Sequence, residues 1–355
     1  MVLLTINHQS LIATKSNRIV RAAQGRSIME FGSRRAQSYD AAILGARAAY
    51  IAGCDATACA IADRDYRIPA VGTMAHSWVQ MFGDEYEAFQ KYAELYPDNC
   101  VLLVDTYNVL KSGIPNAIRA FDEVLATLVL RQKVLRIDSG DIAYLSKKAR
   151  KMLDEAGYPD CPIVASNSLD EYLIRDLLLQ GAQINSFGVG ENLITSKSDP
   201  VFGGVYKLAA AEENGRLIPK IKISETIEKI TNPDFKTLYR FYNKADGEAV
   251  ADYVTLFDET VDTDHPVTIF DPDATWKKKT LTNVTAKKIL VQVFEKGKCV
   301  YSRPSLEEIR AYCKDQVDHL WDEVKRFENP HKFYVDLSPK LWEIKQRLLE
   351  SHSQF

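Results

Sequence analysis

Residues 134–141 are Val-Leu-Arg-Ile-Asp-Ser-Gly-Asp, a short apolar stretch that ends in acidic, hydroxyl-bearing and glycine residues. Apolar residues followed directly by polar residues recur at 101–108, 163–168 and 184–192. Each apolar stretch has the length of a strand, and a helix-like stretch separates it from the next. The pattern predicts an α/β barrel, because the polar carboxyl ends of its parallel strands form the face where active sites lie.

Apolar periodicity gives a first assignment of the elements on either side of this stretch. The predicted parallel strands are 28–32, 57–62, 101–104, 134–137, 163–165, 184–187 and 205–209. Predicted helices cover 5–24, 38–53 and 78–92.

The second part of the chain has a different character. We predict a hairpin turn at Asn214-Gly215 between 206–211 and 217–223, because this dipeptide favours two-residue turns. Antiparallel strands are expected within 235–257 and 289–301, and a long polar excursion at 258–286. Helices are predicted at 305–327 and 338–352, the last with Ser338 as its N-cap.

Composition excludes several classes of protein. The 355 residues include 45 Lys and Arg against 48 Asp and Glu, so the net charge is −3, and no long basic run supports nucleic-acid binding. The six cysteines form no C-x-x-C pair, which is typical of buried thiols in a reducing compartment. There is no apolar run of membrane-spanning length and no signal peptide, so we expect a cytoplasmic protein without membrane partners.

His76 is the first candidate catalytic residue. It lies in Gly72-Thr73-Met74-Ala75-His76-Ser77, between small residues and at the start of a predicted helix. An imidazole in this position is accessible and lies near the positive end of the helix dipole, where a phosphate binds well. The alternative is a histidine that caps or packs, as most histidines do.

Glycine-containing strand exits are candidate phosphate sites. Ser139, Gly140, Gly188 and Gly190 allow backbone N–H groups to face an anion. Ordinary tight turns explain either exit equally well.

Several charged residues lie directly against the predicted strands. Asp138 and Asp141 can hold Mg²⁺ together with substrate oxygens, although Asp141 suits helix capping equally well. Arg136 precedes Asp138 by two residues, so both side chains should point to the same side of the sheet. Asp105 and Asp55 are further carboxylates next to apolar strands.

Two adjacent arginines follow the strand predicted at 28–32. Arg34 and Arg35 suit carboxylate or phosphate recognition, and a structural ion pair is the favoured interpretation for Arg35. Anion-binding groups, metal-binding acids and an accessible histidine together indicate phosphoryl or phosphoribosyl chemistry. Spacing and periodicity lead no further.

Six ordered motifs resemble the bacterial branch of the nicotinate phosphoribosyltransferase family. The resemblance covers essentially the whole chain, including the tail at 334–338. The motifs are Glu30-Phe31-Gly32-Ser33-Arg34-Arg35-Ala36-Gln37, residues 72–77, Leu103-Val104-Asp105-Thr106-Tyr107-Asn108, residues 136–141, Ala165-Ser166-Asn167-Ser168-Leu169-Asp170 and Phe187-Gly188-Val189-Gly190.

This resemblance implies a fold, a reaction and an assembly. The fold is the irregular α/β barrel of type II phosphoribosyltransferases, with a C-terminal β-hairpin and a helical extension, in a head-to-tail homodimer. The expected divisions are a linker helix at 1–27, the catalytic barrel at 28–225 and packing strands and helices at 226–355. The implied reaction joins nicotinate and phosphoribosyl pyrophosphate, with ATP hydrolysis and Mg²⁺, to give nicotinate mononucleotide and pyrophosphate.

The resemblance also assigns roles to individual positions. His76 matches the histidine that is transiently phosphorylated. Asp138 and Asp105 match positions near the ribose, metal and pyrophosphate. The remaining expectations are Arg34 and Arg136 on the pyridine substrate or its phosphates, Ser166, Asn167 and Asp55 on substrate, and Gly188 and Gly190 on the 5′-phosphate.

The chain departs from the family pattern at its start, where full-length members carry an N-terminal domain that completes the nicotinate pocket of the partner. We therefore expect this chain alone to be poorly soluble or to need a partner, and to have little or no activity. The alternative to an enzyme is a non-catalytic remnant or a subunit that needs a separate N-terminal domain. A related enzyme that uses nicotinamide or quinolinate is a third hypothesis, and the His76 motif argues against quinolinate.

Overall fold

The structure is a computed structural model that describes residues 1–125 and 132–352. It contains two compact units. The first comprises Met1–Gly204 with Leu306–Cys313, and the second comprises Val205–Ser305 with the chain from Lys314 onward. None of the described helices is both long enough and apolar enough to cross a membrane.

A curled six-stranded parallel sheet forms the centre of the first unit. Its strands are β1 (Ser27–Glu30), β2 (Ala56–Thr57), β3 (Cys100–Leu103), β4 (Lys133–Ile137), β5 (Ile163–Ser166) and β6 (Ser186–Val189). Their order in space is β2-β1-β6-β5-β4-β3, and every pairing is parallel. All the carboxyl ends therefore lie at one edge of the sheet, as the sequence predicted.

Helices pack around this sheet. They are α1 (Val2–Ala22), α2 (Tyr39–Ile51), α3 (Ala60–Tyr66), α4 (His76–Gln80), α5 (Glu85–Leu95), α6 (Ile114–Ala120), α7 (Ile142–Glu155), α8 (Glu171–Leu179) and α9 (Glu191–Ile194). Short 3₁₀ turns cover Ser33–Arg35 and Pro97–Asn99, and π-helical turns cover Val109–Gly113 and Phe121–Leu125.

The sheet is buried because its strands are apolar on both faces. Every residue of β3 and of β5 is buried. Such continuous apolar runs are typical of parallel strands covered by helices on both sides. Capping side chains then fix where helices begin, and Asp170 accepts hydrogen bonds from Tyr172 N at 3.0 Å and Leu173 N at 2.8 Å at the start of α8.

The second unit is built mainly from antiparallel strands. They are β7 (Ala210–Glu213), β8 (Arg216–Pro219), β9 (Lys236–Asn243), β10 (Ala249–Leu256), β11 (Val267–Phe270), β12 (Lys278–Leu281), β13 (Val284–Lys288), β14 (Phe294–Glu295), β15 (Lys298–Cys299) and β16 (Val335–Leu337). Its largest sheet has the order β13-β9-β10-β16, in which only the described pairing of β10 with β16 is parallel. Helix α10 (Leu306–Asp318) begins in the first unit and ends in the second, and α11 (Pro339–His352) follows with Ser338 as N-cap.

The α/β fold class is confirmed, but six predicted elements were wrong in extent or type. The strand predicted at 57–62 ends at Thr57, and α3 takes over at Ala60. The helix predicted at 78–92 is two helices, because Asp84 caps a new start and accepts a hydrogen bond from Glu87 N at 2.8 Å. Two predicted strand regions are shorter than expected: 205–209 holds no strand, and 289–301 holds only β14 and β15. The excursion predicted at 258–286 contains β11, β12 and part of β13. In the helix predicted at 305–327, α10 ends at Asp318.

Candidate active site

Three residues predicted as catalytic lie together at the carboxyl edge of the parallel sheet. Asp105 and Asp138 follow β3 and β4, and His76 is the first residue of α4. The imidazole Nε2 of His76 lies 3.9 Å from Asp105 Oδ1 and 3.8 Å from Asp138 Oδ2. A single ring nitrogen therefore faces two carboxylates that come from different strands.

Asp105 is the most buried member of this cluster, since only 1% of its side chain is exposed. Its Oδ2 accepts hydrogen bonds from the backbone N–H of Asp138, at 3.1 Å, and from the hydroxyl of Ser139. Its Oδ1 is buried and has no hydrogen-bond partner within the described residues. A buried carboxylate oxygen without a donor is costly, so this atom is a strong candidate to bind a group brought by substrate.

Thr106 fixes the orientation of the histidine. Its hydroxyl Oγ1 lies 3.1 Å from His76 Nδ1, within hydrogen-bond distance. With Nδ1 held in this way, Nε2 is the nitrogen that points between the two carboxylates. The hydrogen bond that one ring nitrogen makes sets the role of the other.

Arg136 ties the neighbouring strands together. Its Nε donates to Ser166 Oγ at 2.9 Å, one terminal nitrogen donates to Asp138 Oδ1 at 2.8 Å, and the other donates to the hydroxyl of Thr73. The guanidinium also lies 5.8 Å from the centre of the Phe31 ring. The prediction that Arg136 and Asp138 point to the same side is confirmed.

The glycines that follow β4 and end β6 allow close backbone packing at the carboxyl edge of the sheet. A Cβ atom on Gly188 would lie 2.6 Å from the Phe31 ring, and one on Gly190 would lie 3.0 Å from the carbonyl oxygen of Phe31. Side chains at these two positions would therefore collide with the turn that follows β1. Gly140 has a φ of +80°, a left-handed conformation that glycine adopts without strain, between Asp138 and the start of α7.

The structure separates Asp55 from this cluster, which corrects the sequence prediction. Asp55 precedes β2 and accepts hydrogen bonds from Ser27 Oγ at 2.7 Å and Ile28 N at 3.2 Å, at the start of β1. It therefore lies at the amino edge of the parallel sheet, opposite to His76. A carboxylate that precedes a strand cannot reach the edge where the strands end.

Three more predicted residues are placed but not joined to the histidine cluster. Asp141 caps α7, because its Oδ1 accepts from Tyr144 N at 2.9 Å, which is the alternative that the sequence left open. Asn167 follows β5 in a left-handed conformation and is exposed. Arg34 is exposed in the 3₁₀ turn after β1, without an ion pair or hydrogen bond inside the described chain, and Arg35 lies 3.9 Å from Glu191.

Comparison with known proteins agrees with this geometry. The profile described as "Nicotinate phosphoribosyltransferase (NAPRTase) family" matches residues 26–246, and "Nicotinate phosphoribosyltransferase C-terminal domain" matches residues 235–345. The nicotinate phosphoribosyltransferase of Bacillus subtilis is 46% identical over 98% of this chain and 71% of its own length. The chain belongs to the nicotinate phosphoribosyltransferase family.

Other members of the nicotinate phosphoribosyltransferase family support the fold. The human enzyme is 27% identical in sequence over 99% of this chain. The crystal structure of human nicotinic acid phosphoribosyltransferase superposes with a TM-score of 0.78 and 25% identity, over 97% of this chain and 74% of that one. A Pyrococcus furiosus nicotinate-nucleotide pyrophosphorylase shares the fold with a TM-score of 0.63, over 88% and 71% of the two chains.

Sequence analysis did not select four residues that the structure places at this site. Thr73, Thr106 and Phe31 lie in the quoted motifs, but hydroxyl and aromatic side chains are too common to single out by type. Glu30 is fully buried, and its carboxylate accepts hydrogen bonds from Gly32 N and from Thr57 Oγ1, the latter at 2.6 Å. A signal was available for Glu30, because a carboxylate inside an apolar strand needs partners.

The acidic residues of this site are of the kind and number that a magnesium ion takes from a protein. Mg²⁺ is bound in proteins by one or two carboxylates and completes its shell with water and substrate phosphates. Asp105 Oδ1 and Asp138 Oδ2 both face His76 Nε2, and Asp105 Oδ1 is the buried oxygen without a donor. Across residues 1–125 and 132–352, no group of three or more His, Cys, Asp or Glu residues is arranged to hold a metal ion, so substrate would supply the other ligands.

Proposed function

We propose that this chain transfers phosphoribose from phosphoribosyl pyrophosphate to nicotinate, giving nicotinate mononucleotide and pyrophosphate for NAD biosynthesis. The observation that carries the proposal is the cluster of His76, Asp105 and Asp138 at the carboxyl edge of the sheet. It is supported by the 46% identity to a nicotinate phosphoribosyltransferase. No comparison favours the alternative of a non-catalytic remnant.

The two carboxylates would act on the sugar. Departure of pyrophosphate leaves positive charge on the ribose, and fixed carboxylates stabilise that charge as it develops. Asp138 is held for this task by Arg136 and Ser166, which occupy its Oδ1 and leave Oδ2 facing the site. Mg²⁺, when bound by Asp105 and Asp138, would neutralise the leaving pyrophosphate.

Backbone groups would hold the phosphates. The Ser139-Gly140 turn precedes α7, a 14-residue helix whose N-terminal N–H groups favour an anion. We assign the pyrophosphate to this turn and the 5′-phosphate to the Gly188–Gly190 exit, where the two glycines let the turn after β1 pack close to the end of β6. Ser166 and Asn167, which end β5 and follow it, complete the substrate face in this proposal.

Recognition of nicotinate is assigned to Arg34, Arg136 and Phe31. Arg136 already donates to three side chains, so its role is to shape the pocket and present a positive surface. Arg34 has no ion pair or hydrogen bond with the described residues, and it can pair with the nicotinate carboxylate in the two-pronged geometry that guanidinium groups favour. Phe31 offers a ring face for the pyridine.

ATP coupling is assigned to His76. A ring nitrogen forms a bond to the γ-phosphorus as ADP leaves, and water later takes the phosphoryl group from the imidazole during turnover. The ring gains positive charge as its nitrogen bonds to phosphorus, and Asp105 and Asp138 lie where they stabilise that charge. This role depends on access, and 40% of the His76 side chain is exposed.

The test follows labelled nicotinate in the presence of phosphoribosyl pyrophosphate and Mg²⁺, with and without ATP. We expect labelled mononucleotide, faster formation with ATP, and no use of nicotinamide. His76→Asn should still form product slowly but lose the stimulation by ATP, whereas His265→Asn, at an exposed position, should keep it. Equal stimulation of the His76 variant by ATP would refute the phosphohistidine role, and no product even after a separate N-terminal segment is added would refute the reaction.

The assembly of the chain is tested by a separate measurement. We propose a homodimer, supported by exposed apolar side chains on α1, where Val2 and Leu4 are 73% and 70% exposed. Light scattering at assay concentration should give twice the 40.0 kDa chain mass. If activity appears only when a separate N-terminal segment is added, the chain is a subunit of the enzyme rather than its complete active form.

A further inference from the structure

A cavity of about 540 Å³ lies entirely within the second unit. One wall is the hairpin of β11 and β12, and the other is the segment at 331–336 that leads into β16. Small-molecule sites in proteins have volumes of about 300–1,000 Å³. None of the residues assigned to the phosphoribosyl transfer lines this cavity, so the proposed reaction gives it no task.

Asp336 lines the cavity and is its most informative residue. It is only 5% exposed, and its carboxylate has no hydrogen bond or ion pair with any described part of the chain. Burial, together with the nearby Asp271, raises the pKa of Asp336 to about 6. The carboxylate lines the cavity, so a ligand bound there can donate a hydrogen bond to it.

Exposed lysines also line the cavity, together with the exposed Asp273 and the partly buried Asp271. Lys278 and Lys332 are exposed and have no ion pair within the described residues, while Lys277 lies 3.8 Å from Asp271. Two ammonium groups without an ion pair in the described chain, both lining one cavity, suit a phosphate. Metal binding does not explain the acidic residues, because no described group of three or more ligating side chains is arranged around an ion.

Aromatic side chains also line the cavity. Phe333 and Tyr334 both line the cavity, and Tyr334 is 38% exposed. The ammonium of Lys279 lies 5.6 Å from the centre of the Tyr334 ring, so this ring already attracts positive charge on its face. An accessible aromatic ring is a stacking surface for a flat heterocycle.

We propose that this cavity binds a nucleoside phosphate whose base carries an amino group, as adenine does. The amino group donates to the Asp336 carboxylate, the base packs against Tyr334, and the phosphate pairs with Lys278 and Lys332. A buried carboxylate, an accessible aromatic ring and exposed ammonium groups in one cavity are the partners that such a ligand needs. A hypoxanthine base has a carbonyl oxygen in place of the amino group, and that oxygen would face the carboxylate.

The test is calorimetric titration of the full chain with AMP and with IMP, which differ at this position of the base. We expect one AMP per chain and at least tenfold weaker binding of IMP, because the Asp336 carboxylate accepts a hydrogen bond from the amino group of AMP and would face the carbonyl oxygen of IMP. Adenosine, which lacks the phosphate, should also bind roughly tenfold more weakly than AMP. Absence of AMP binding, or equal binding of AMP and IMP, would overturn the proposal.

Substitutions of the cavity residues test whether AMP binds in this cavity. Asp336→Asn should bring the affinities for AMP and IMP close together, since the amide both donates and accepts, and Lys278→Ala with Lys332→Ala should weaken both. Asp258→Asn and Lys244→Ala, exposed and outside the cavity lining, are the matched controls and should behave as the unmodified chain. His76→Asn should keep the preference for AMP. A preference that survives in Asp336→Asn or disappears in His76→Asn would place the nucleotide elsewhere and end the proposal, whatever the outcome of the phosphoribosyltransferase assay.

Discussion

At the scale of single residues, Asp138 shows how one side chain serves structure and chemistry together. Its Oδ1 accepts hydrogen bonds from Arg136 and Ser166, and its Oδ2 faces the imidazole of His76 at 3.8 Å. The first oxygen fixes the rotamer, so the second is held in place before substrate arrives. Such preorganised charge is the main source of electrostatic stabilisation in a transition state.

Asp138→Asn should therefore lower turnover by roughly 10²–10³, the loss that follows removal of one well-placed electrostatic group. Single-turnover formation of the mononucleotide measures this step directly. The matched control is Asp55→Asn at the amino edge of the same sheet, which should react at the normal rate. An unchanged rate for Asp138→Asn would remove this carboxylate from the mechanism.

Individual residues also show which parts of the site could be predicted from the sequence. Asp105, Asp138 and the glycines were found because the residue after a buried strand is fixed to one edge of a parallel sheet. Thr106 was missed because its contact with His76 joins two elements 30 residues apart, and nothing local requires it. Asp55 was misassigned because an acidic residue beside an apolar stretch was taken as a site residue without regard to which end of the strand it occupies.

At the scale of elements, errors arose where propensity and tertiary context disagree. Residues 58–62 are alanine-rich and form helix once β2 leaves the sheet, although their apolar pattern predicted a strand. The stretch at 289–301 is rich in strand-forming residues, but Leu290 and Val291 are 58% and 66% exposed, so no buried face stabilises a long strand. The buried strands β3, β4 and β5 were predicted within two residues at each end because burial on both faces leaves no ambiguity.

The turn after β1 depends on Glu30. This fully buried carboxylate binds Gly32 N and Thr57 Oγ1, and burial raises its pKa. Glu30→Gln replaces one acceptor with a donor and should release the turn that carries Phe31. We expect the KM for nicotinate to rise roughly tenfold, with a smaller change for phosphoribosyl pyrophosphate.

Steady-state kinetics with each substrate varied in turn measures this difference. Glu85→Gln is the matched control, because Glu85 is also buried and binds Ser112 and Asn116 away from the turn. It should lower the unfolding temperature and leave both KM values unchanged. Equal rises of the nicotinate KM in both variants would show that Glu30 acts only through general stability.

Helix α1 is joined to α8 by buried charge. Glu171 accepts from Lys15 Nζ at 2.6 Å and Arg18 Nε at 2.8 Å, and Lys15 is only 3% exposed. Glu171→Gln leaves the Lys15 ammonium buried without an opposite charge, which should cost on the order of 3 kcal/mol in unfolding free energy. Glu191→Gln is the control, since it removes a carboxylate from an exposed pair with Lys197. Urea unfolding at pH 7 compares the two, and a Glu171 variant as stable as the control would contradict the argument.

At the scale of the whole molecule, two buried carboxylates give stability opposite dependences on pH. Burial alone would raise the pKa of Glu171, but the hydrogen bonds from Lys15 and Arg18 bring it below its ordinary value. Its contribution is therefore present at neutral pH and is lost as the pH falls below about 4.5 through the folded-state pKa. Asp336 behaves in the opposite way, because burial and Asp271 raise its pKa from 3.8 to about 6.

Between these two values the native chain holds a proton on Asp336 that the unfolded chain releases, so this group lowers stability as the pH rises from about 4 to about 6. Asp336→Asn removes the titration. The variant should unfold at a higher temperature than the unmodified chain at pH 7.5, and the difference should shrink towards pH 4. Asp258→Asn, an exposed control, should show no such trend. A variant that is less stable at pH 7.5 would mean that the charged Asp336 has a stabilising partner, which would also remove the reason for a ligand to donate to it.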